Sequence, residues 1–172
     1  MSSMFTPEHL HVALNHVPLI GVAIACVPLF FGLFRRCRPA LFGGLVLALA
    51  CSASVFVVLE TGESAAERFG SGPLSALIDS DGLQWLGVHA HRADRVALLL
   101  YAVLGSAVLG LIAMWRLRRA ERILGAITLA LALAATAGLV WVADAGGKIR
   151  HPEFRADPAS EQVPGDTTKG QG

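Results

Sequence analysis

The chain alternates long apolar blocks with short polar ones, and the apolar blocks have the length of membrane helices. Residues 10–34, 40–59, 96–115 and 123–142 are each about 20 residues or longer, enough to cross a hydrocarbon core of about 30 Å at 1.5 Å per residue. The last three contain no Asp, Glu, Lys or Arg. The pattern predicts an all-α fold: an integral membrane four-helix bundle, up-down, forming a single domain over residues 1–155. The polar stretch 156–172, with its Pro and Gly, is expected to be a disordered tail. Small residues suited to close helix approach recur in the blocks: Gly21 with Ala25, Gly43 with Gly44, Gly105 with Gly110, and the Ala-rich run 130–138. Between the second and third blocks, turn signals stand at Gly72–Pro73 and at Asp81–Gly82. A short amphipathic helix lying on the membrane is expected there, with Trp85 as an interfacial anchor.

Composition agrees: 54% of residues are hydrophobic and 16% charged, against roughly 25% charged in ordinary soluble domains. A net charge of +1 and the absence of a basic stripe argue against a nucleic-acid partner. Cys26, Cys37 and Cys51 form neither CxxC nor CxxCH, which argues against thiol redox chemistry, clustered zinc ligation and covalent c-type haem.

Charge is unevenly placed. The turn "RRCRP" carries Arg35, Arg36 and Arg38, and "RLRRAER" carries Arg116, Arg118, Arg119 and Arg122 against a single acid, Glu121. By the positive-inside rule that face is cytoplasmic. Both termini and the 60–95 connection are then expected outside, on the periplasmic side of a bacterial inner membrane. All six histidines (His9, His11, His16, His89, His91 and His151) fall at the outer helix ends, with Glu60, Glu63, Glu67, Asp144, Lys148, Arg150 and Glu153. Counting up from the inner arginines at about 1.5 Å per residue, His11, Glu63 and His91 share one level. Glu60, Asp94 and Asp144 share a level about one turn deeper, and His16 is deepest. Ionisable groups at such depth are costly unless paired or turned into the bundle. Pro18 removes the helical partner of the Leu14 carbonyl and is expected to bend the first span beneath His16; Pro28 suits packing alone.

"HVALNHVPLIG" in the first span, "TGESAAE" after the second, "HAHRADRVAL" entering the third and "GGKIRHPE" after the fourth together resemble an uncharacterised family of small bacterial four-helix inner-membrane proteins. The likeness covers the chain from the first span to residue 153. It implies the four-helix architecture and draws attention to His11, Asn15, His16, Pro18, Thr61, Gly62, Glu63, Glu67, His91, Arg150, His151 and Glu153. The chain departs from the family pattern at Ala66 and at Arg92 and Asp94.

Three functions fit the outer cluster. One is a haem b site serving electron transfer, with axial imidazoles from His11 or His16 and His91 and with Arg95 and Arg150 near the propionates. A quinol or a periplasmic redox protein would then be the partner, with the bilayer itself. The second is a transition-metal ion held by His11, His16, His91, Glu63 and His151. The third is a structural subunit of a membrane complex, in which the polar groups order the helix ends. No nucleophile, base and orienter set is readable, so an electron carrier or binding subunit is expected rather than a self-contained enzyme. His89 and His91, two apart, point to different sides of a helix, so at most one faces the bundle.

Overall fold

The computed structural model describes residues 6–155; residues 1–5 and the expected tail over 156–172 lie outside the described residues. The described chain is all-α: α1 (Pro7–Leu14), α2 (His16–Phe34), α3 (Arg38–Ala53), α4 (Val55–Gly70), α5 (Ser80–Arg116) and α6 (Ala120–Arg150). These helices make four rods, α1–α2, α3–α4, α5 and α6, each long and apolar enough to cross a membrane. α2 packs on α3 and α6, and α5 packs on α3 and most extensively on α6, so the rods close into a ring; α1 rests against α4.

Two rods are interrupted, for different reasons. The break at Asn15 follows from Pro18, which leaves the Leu14 carbonyl without its helical amide, as expected. The break at Ser54 follows from side chains: the Ser52 hydroxyl donates to Ala48 O (2.6 Å) and the Ser54 hydroxyl to Cys51 O (2.7 Å). Such bonds compete with the ladder and bend helices.

The core is built from small and branched side chains; Val22, Ala25, Leu29, Leu45, Ala48, Val103, Ala107, Ala132 and Ala135 are fully buried. A methyl group on Gly32 would lie 2.5 Å from Leu41 N, and one on Gly44 would lie 2.7 Å from Leu29 N. These two glycines let α2 and α3 touch backbone to backbone. Gly43 and Gly105, also expected at interfaces, face open space instead.

Of the surface helix expected between the second and third spans, one 3-10 turn over Ser75–Leu77 is present. Residues 80–95 continue α5 outward as one 37-residue rod, about 55 Å long, which rises beyond a hydrocarbon core of about 30 Å. The Asp81–Gly82 pair is the first helical turn rather than a loop, because Asp79 is the N-cap and accepts a bond from Gly82 N at 2.7 Å. Trp85 is 1% exposed, so it packs inside the bundle rather than anchoring at an interface. Gly146 and Gly147 likewise stay within α6.

A clasp joins the start of α5 to the end of α6, at the end of the bundle remote from the arginine turns. Arg155 donates to the terminal α6 carbonyls of Lys148 (2.8 Å) and Ile149 (2.9 Å) and to the Asp79 carboxylate (2.7 Å). A cation thus meets the negative end of α6 and an anion the positive end of α5. The Arg155 guanidinium and the Gly82 amide hold the Asp79 carboxyl below its ordinary pKa. The clasp therefore contributes at neutral pH and is lost as pH falls through that lowered value. At the opposite end Arg38 donates to Glu121 (2.9 Å) and to the Met114 carbonyl. The one acid of the arginine face is thereby buried in an ion pair.

Close backbone contact is where added volume costs most. Gly32→Leu and Gly44→Leu are expected to destabilise the bundle by about 1–3 kcal/mol each through overpacking, with Gly43→Leu near neutral. Thermal unfolding of the purified variants in one detergent measures the ranking, and equal effects at Gly43 and Gly44 would refute it.

Candidate functional site

The stripe that faces the bundle along α5 runs Trp85, His89, Arg92, Val96, Leu100, Val103, Ala107, at helical spacings of three and four. Its apolar lower half lies in the span, and its upper half carries an indole, an imidazole and a guanidinium outward in the same register.

His89 Nδ1 donates to Val142 O of α6 at 3.0 Å. Four residues on, Gly146 presents no side chain; a methyl there would lie 3.2 Å from the His89 ring. The first hairpin repeats the device. His11 Nδ1 donates to Val58 O of α4 at 3.0 Å, and Gly62, again four residues on, leaves the space its ring fills; a methyl there would lie 2.8 Å from His11 Cε1. Carbonyl oxygens only accept, so both rings carry their proton on Nδ1 when neutral. The Thr61 hydroxyl donates within α4 to Val57 O (2.8 Å) and Val58 O (3.2 Å). The two imidazoles then meet edge to face, centroids 6.3 Å apart, which joins one hairpin to the other.

Arg92 lies beside this pair and is 2% exposed. Its Nη1 donates to Trp141 O at 2.7 Å and to Asp144 at 3.2 Å, and its guanidinium lies 4.5 Å from the Trp141 ring centroid. Lys148 bonds Asp144 at 2.9 Å and stands 4.4 Å over the Trp85 ring. Across the bundle, the Glu8–Arg68 ion pair (3.1 Å) ties α1 to α4.

The expected site residues are distributed differently. His11 faces the bundle, but its ring partner is His89, not His91. One rod cannot aim residues two apart at the same neighbour, and the register of Trp85, Arg92 and Val96 selects His89. His91 is half-buried on another side of α5. His16 is exposed and donates to Val12 O of its own rod at 2.9 Å. Glu63, Arg95 and Arg150 are exposed, as are Glu60 and Asp94, while Asp144 is the one member of that level held in the network. His151 pairs with its near neighbour Glu153 at 2.9 Å rather than with the other histidines.

This arrangement overturns the cofactor reading. Among the described residues, no group of three or more His, Cys, Asp or Glu side chains is placed to hold a metal ion. The transition-metal site and the haem b site, and with them the electron-transfer role, are corrected accordingly. The physical reason is the latch itself. Two rings in edge contact leave no slot for a macrocycle between them, and the carboxylates face outward or pair with cations. The sequence signals for Arg92 and His89 were the apolar stripe of α5 and its extension beyond the span.

No family model matches the chain, and neither a curated protein nor a solved structure matches it. Nothing in these comparisons supports the expected small four-helix family or its motifs; what stands of that expectation is a largely apolar, membrane-spanning four-helix bundle.

The two glycines under the imidazoles are not equivalent. Gly→Ala within a helix gains about 1 kcal/mol of propensity, against the loss of an interhelical bond worth about 0.6–2 kcal/mol and an overpacking cost of about 1–3 kcal/mol where the added methyl meets the ring. The tighter space over Gly62 makes Gly62→Ala net destabilising, whereas Gly146→Ala is near neutral or slightly stabilising. Melting temperatures of the two variants decide it; the reverse order would show that the rings do not depend on those spaces.

Proposed function

We propose that this chain is a structural subunit of the bacterial cytoplasmic membrane whose outer helix ends form a stiff platform on which a partner docks. The observation that carries this reading is the use of the bundle-facing imidazoles: His11 and His89 each bond a backbone carbonyl of the facing helix. With Arg92 and the Asp79–Arg155 clasp they hold rods together. The side chains left outward-facing, among them His16, Glu63, Glu67, Arg95 and Arg150, supply the polar surface for the partner. The arginine turns face the cytoplasm in this reading, with both termini in the periplasm.

Isosteric substitution tests the role of the imidazoles. Asn places an N–H near the position of Nδ1, whereas Gln reaches towards the position of Nε2. His89→Asn is expected to leave stability unchanged to within about 0.3 kcal/mol, and His89→Gln and His89→Ala to lose about 0.6–2 kcal/mol. Retention by Gln with loss in Asn would overturn the latch reading. For the platform, Glu63→Lys with Glu67→Lys is expected to shrink the native particle extracted from the host membrane in mild detergent, with an unchanged melting temperature. Extraction of the unsubstituted chain as a bare monomer of 18.1 kDa would refute docking.

Orientation is tested at Cys37, which lies at the arginine turn before α3. A membrane-impermeant thiol reagent is expected to spare it in intact cells and to label it in inverted vesicles. Labelling of intact cells would reverse the topology.

A further inference from the structure

At the arginine end, between the start of α3 and the end of α5, an open cleft of about 490 Å³ is lined by Arg38, Pro39, Phe42, Met114 and Trp115. Its walls are apolar and face outward from the bundle: Trp115 is 83% exposed and Phe42 46%. Its one cation is fixed from behind. Arg38 uses Nε on Glu121 and Nη2 on the Met114 carbonyl, so the fork is held at the rim and Nη1 has no partner among the described residues.

In the two turns at this end of the bundle, charge is in excess. Glu121 is already paired with Arg38. Arg35, Arg36, Arg116, Arg118, Arg119 and Arg122 are all exposed, and none has an ion-pair partner among the described residues. Arg36 even adopts φ 54°, a left-handed conformation that costs an L-residue about 1–2 kcal/mol and that glycine would take freely. The turn thus presents an arginine where backbone sterics favour glycine.

Apolar walls and uncompensated turn arginines at the same end of the bundle match one class of molecule. We propose that this cleft binds an anionic phospholipid of the leaflet that the arginine turns face, its phosphate on Arg38 and the turn arginines and its acyl chain along Phe42 and Trp115. Basic recesses between transmembrane helices bind anionic headgroups in this way. Arg38 can offer the phosphate its Nη1, and the bidentate contact that arginine makes with phosphate falls to the turn arginines, whose forks are free of ion-pair partners among the described residues. A soluble anion would leave the exposed indole and phenyl rings unused, and a zwitterionic lipid would leave the charge of the turns uncompensated.

Trp115 reports the site. The purified full chain is placed in phosphatidylcholine nanodiscs with increasing fractions of phosphatidylglycerol, either lipid being brominated in its acyl chain. The quenching that disappears in Trp115→Phe is read as the Trp115 signal. Brominated phosphatidylglycerol is expected to quench at several-fold lower mole fraction than brominated phosphatidylcholine. The preference should weaken roughly fivefold for each arginine removed in Arg35→Gln and Arg116→Gln, neither of which has a partner to lose. Arg38→Gln should weaken it further, and its melting temperature shows whether the fold survives the loss of the Glu121 pair. Should Arg38→Gln fail to fold, the two surface variants decide alone. Equal quenching by the two lipids overturns the proposal. So does a preference that survives Arg35→Gln with Arg116→Gln, or one abolished by glycerol phosphate at the concentration of the lipid, which would mark a site for the soluble anion.

Discussion

Two helices in lipid gain nothing from hiding apolar side chains from each other, because the lipid is as apolar as they are. What can hold them is close contact and any hydrogen bond that water does not contest. In this bundle the bond is an imidazole N–H given to a helix carbonyl across a glycine. It occurs once in each hairpin, His11 to Val58 and His89 to Val142. A helical carbonyl retains a spare lone pair, so the latch takes nothing from the ladder of the helix it grips. Interhelical bonds of this kind average near 0.6 kcal/mol in a membrane protein and rarely exceed 2. Each is therefore a modest contribution, and the edge contact between the two rings (6.3 Å) matters because it makes one joint of two.

Below the latch, small residues take over. Gly32 and Gly44 bring α2 and α3 to backbone contact, and fully buried alanines continue that economy of volume along α2, α3, α5 and α6. Above it, the rods leave the hydrocarbon and need other fastenings. These are charge pairs: Glu8 with Arg68, Arg92 with Asp144, and Arg155 with Asp79. Each lies between different rods, so the end remote from the arginine turns is stiffened by cross-bracing rather than by a loop folded over it. Exposed pairs of this kind are individually weak. Arg92, 2% exposed and stacked on Trp141, is the one whose loss would leave a buried hole, with Asp144 then held by Lys148 alone.

Much of this was legible in the residues. The charge-free blocks show the spans, and Pro18 shows the break in the first rod. The seven arginines show that the two ends of the bundle differ. What escaped was mostly a matter of register. Asp81–Gly82 reads as a turn, and it becomes a helix start only because Asp79 caps it and Arg155 stands beside it. Level alone made His91 a partner for His11, but rotation about α5 chose His89. Counting residues along an axis gives height. It does not give azimuth, which depends on which face the apolar stripe of the same rod has already committed.

The linear chain determined what length and charge can determine by themselves: four helices that cross a bilayer, and a polar end opposite an arginine end. Those properties are local sums over about twenty residues at a time, and no neighbour has to be known to evaluate them. Only the packed bundle decided what the polar end does. Whether an imidazole grips a carbonyl or turns to another face depends on a glycine in another helix, 51 residues away for His11 and 57 for His89. Contacts between helices so far apart along the chain exist only after the rods have found their neighbours.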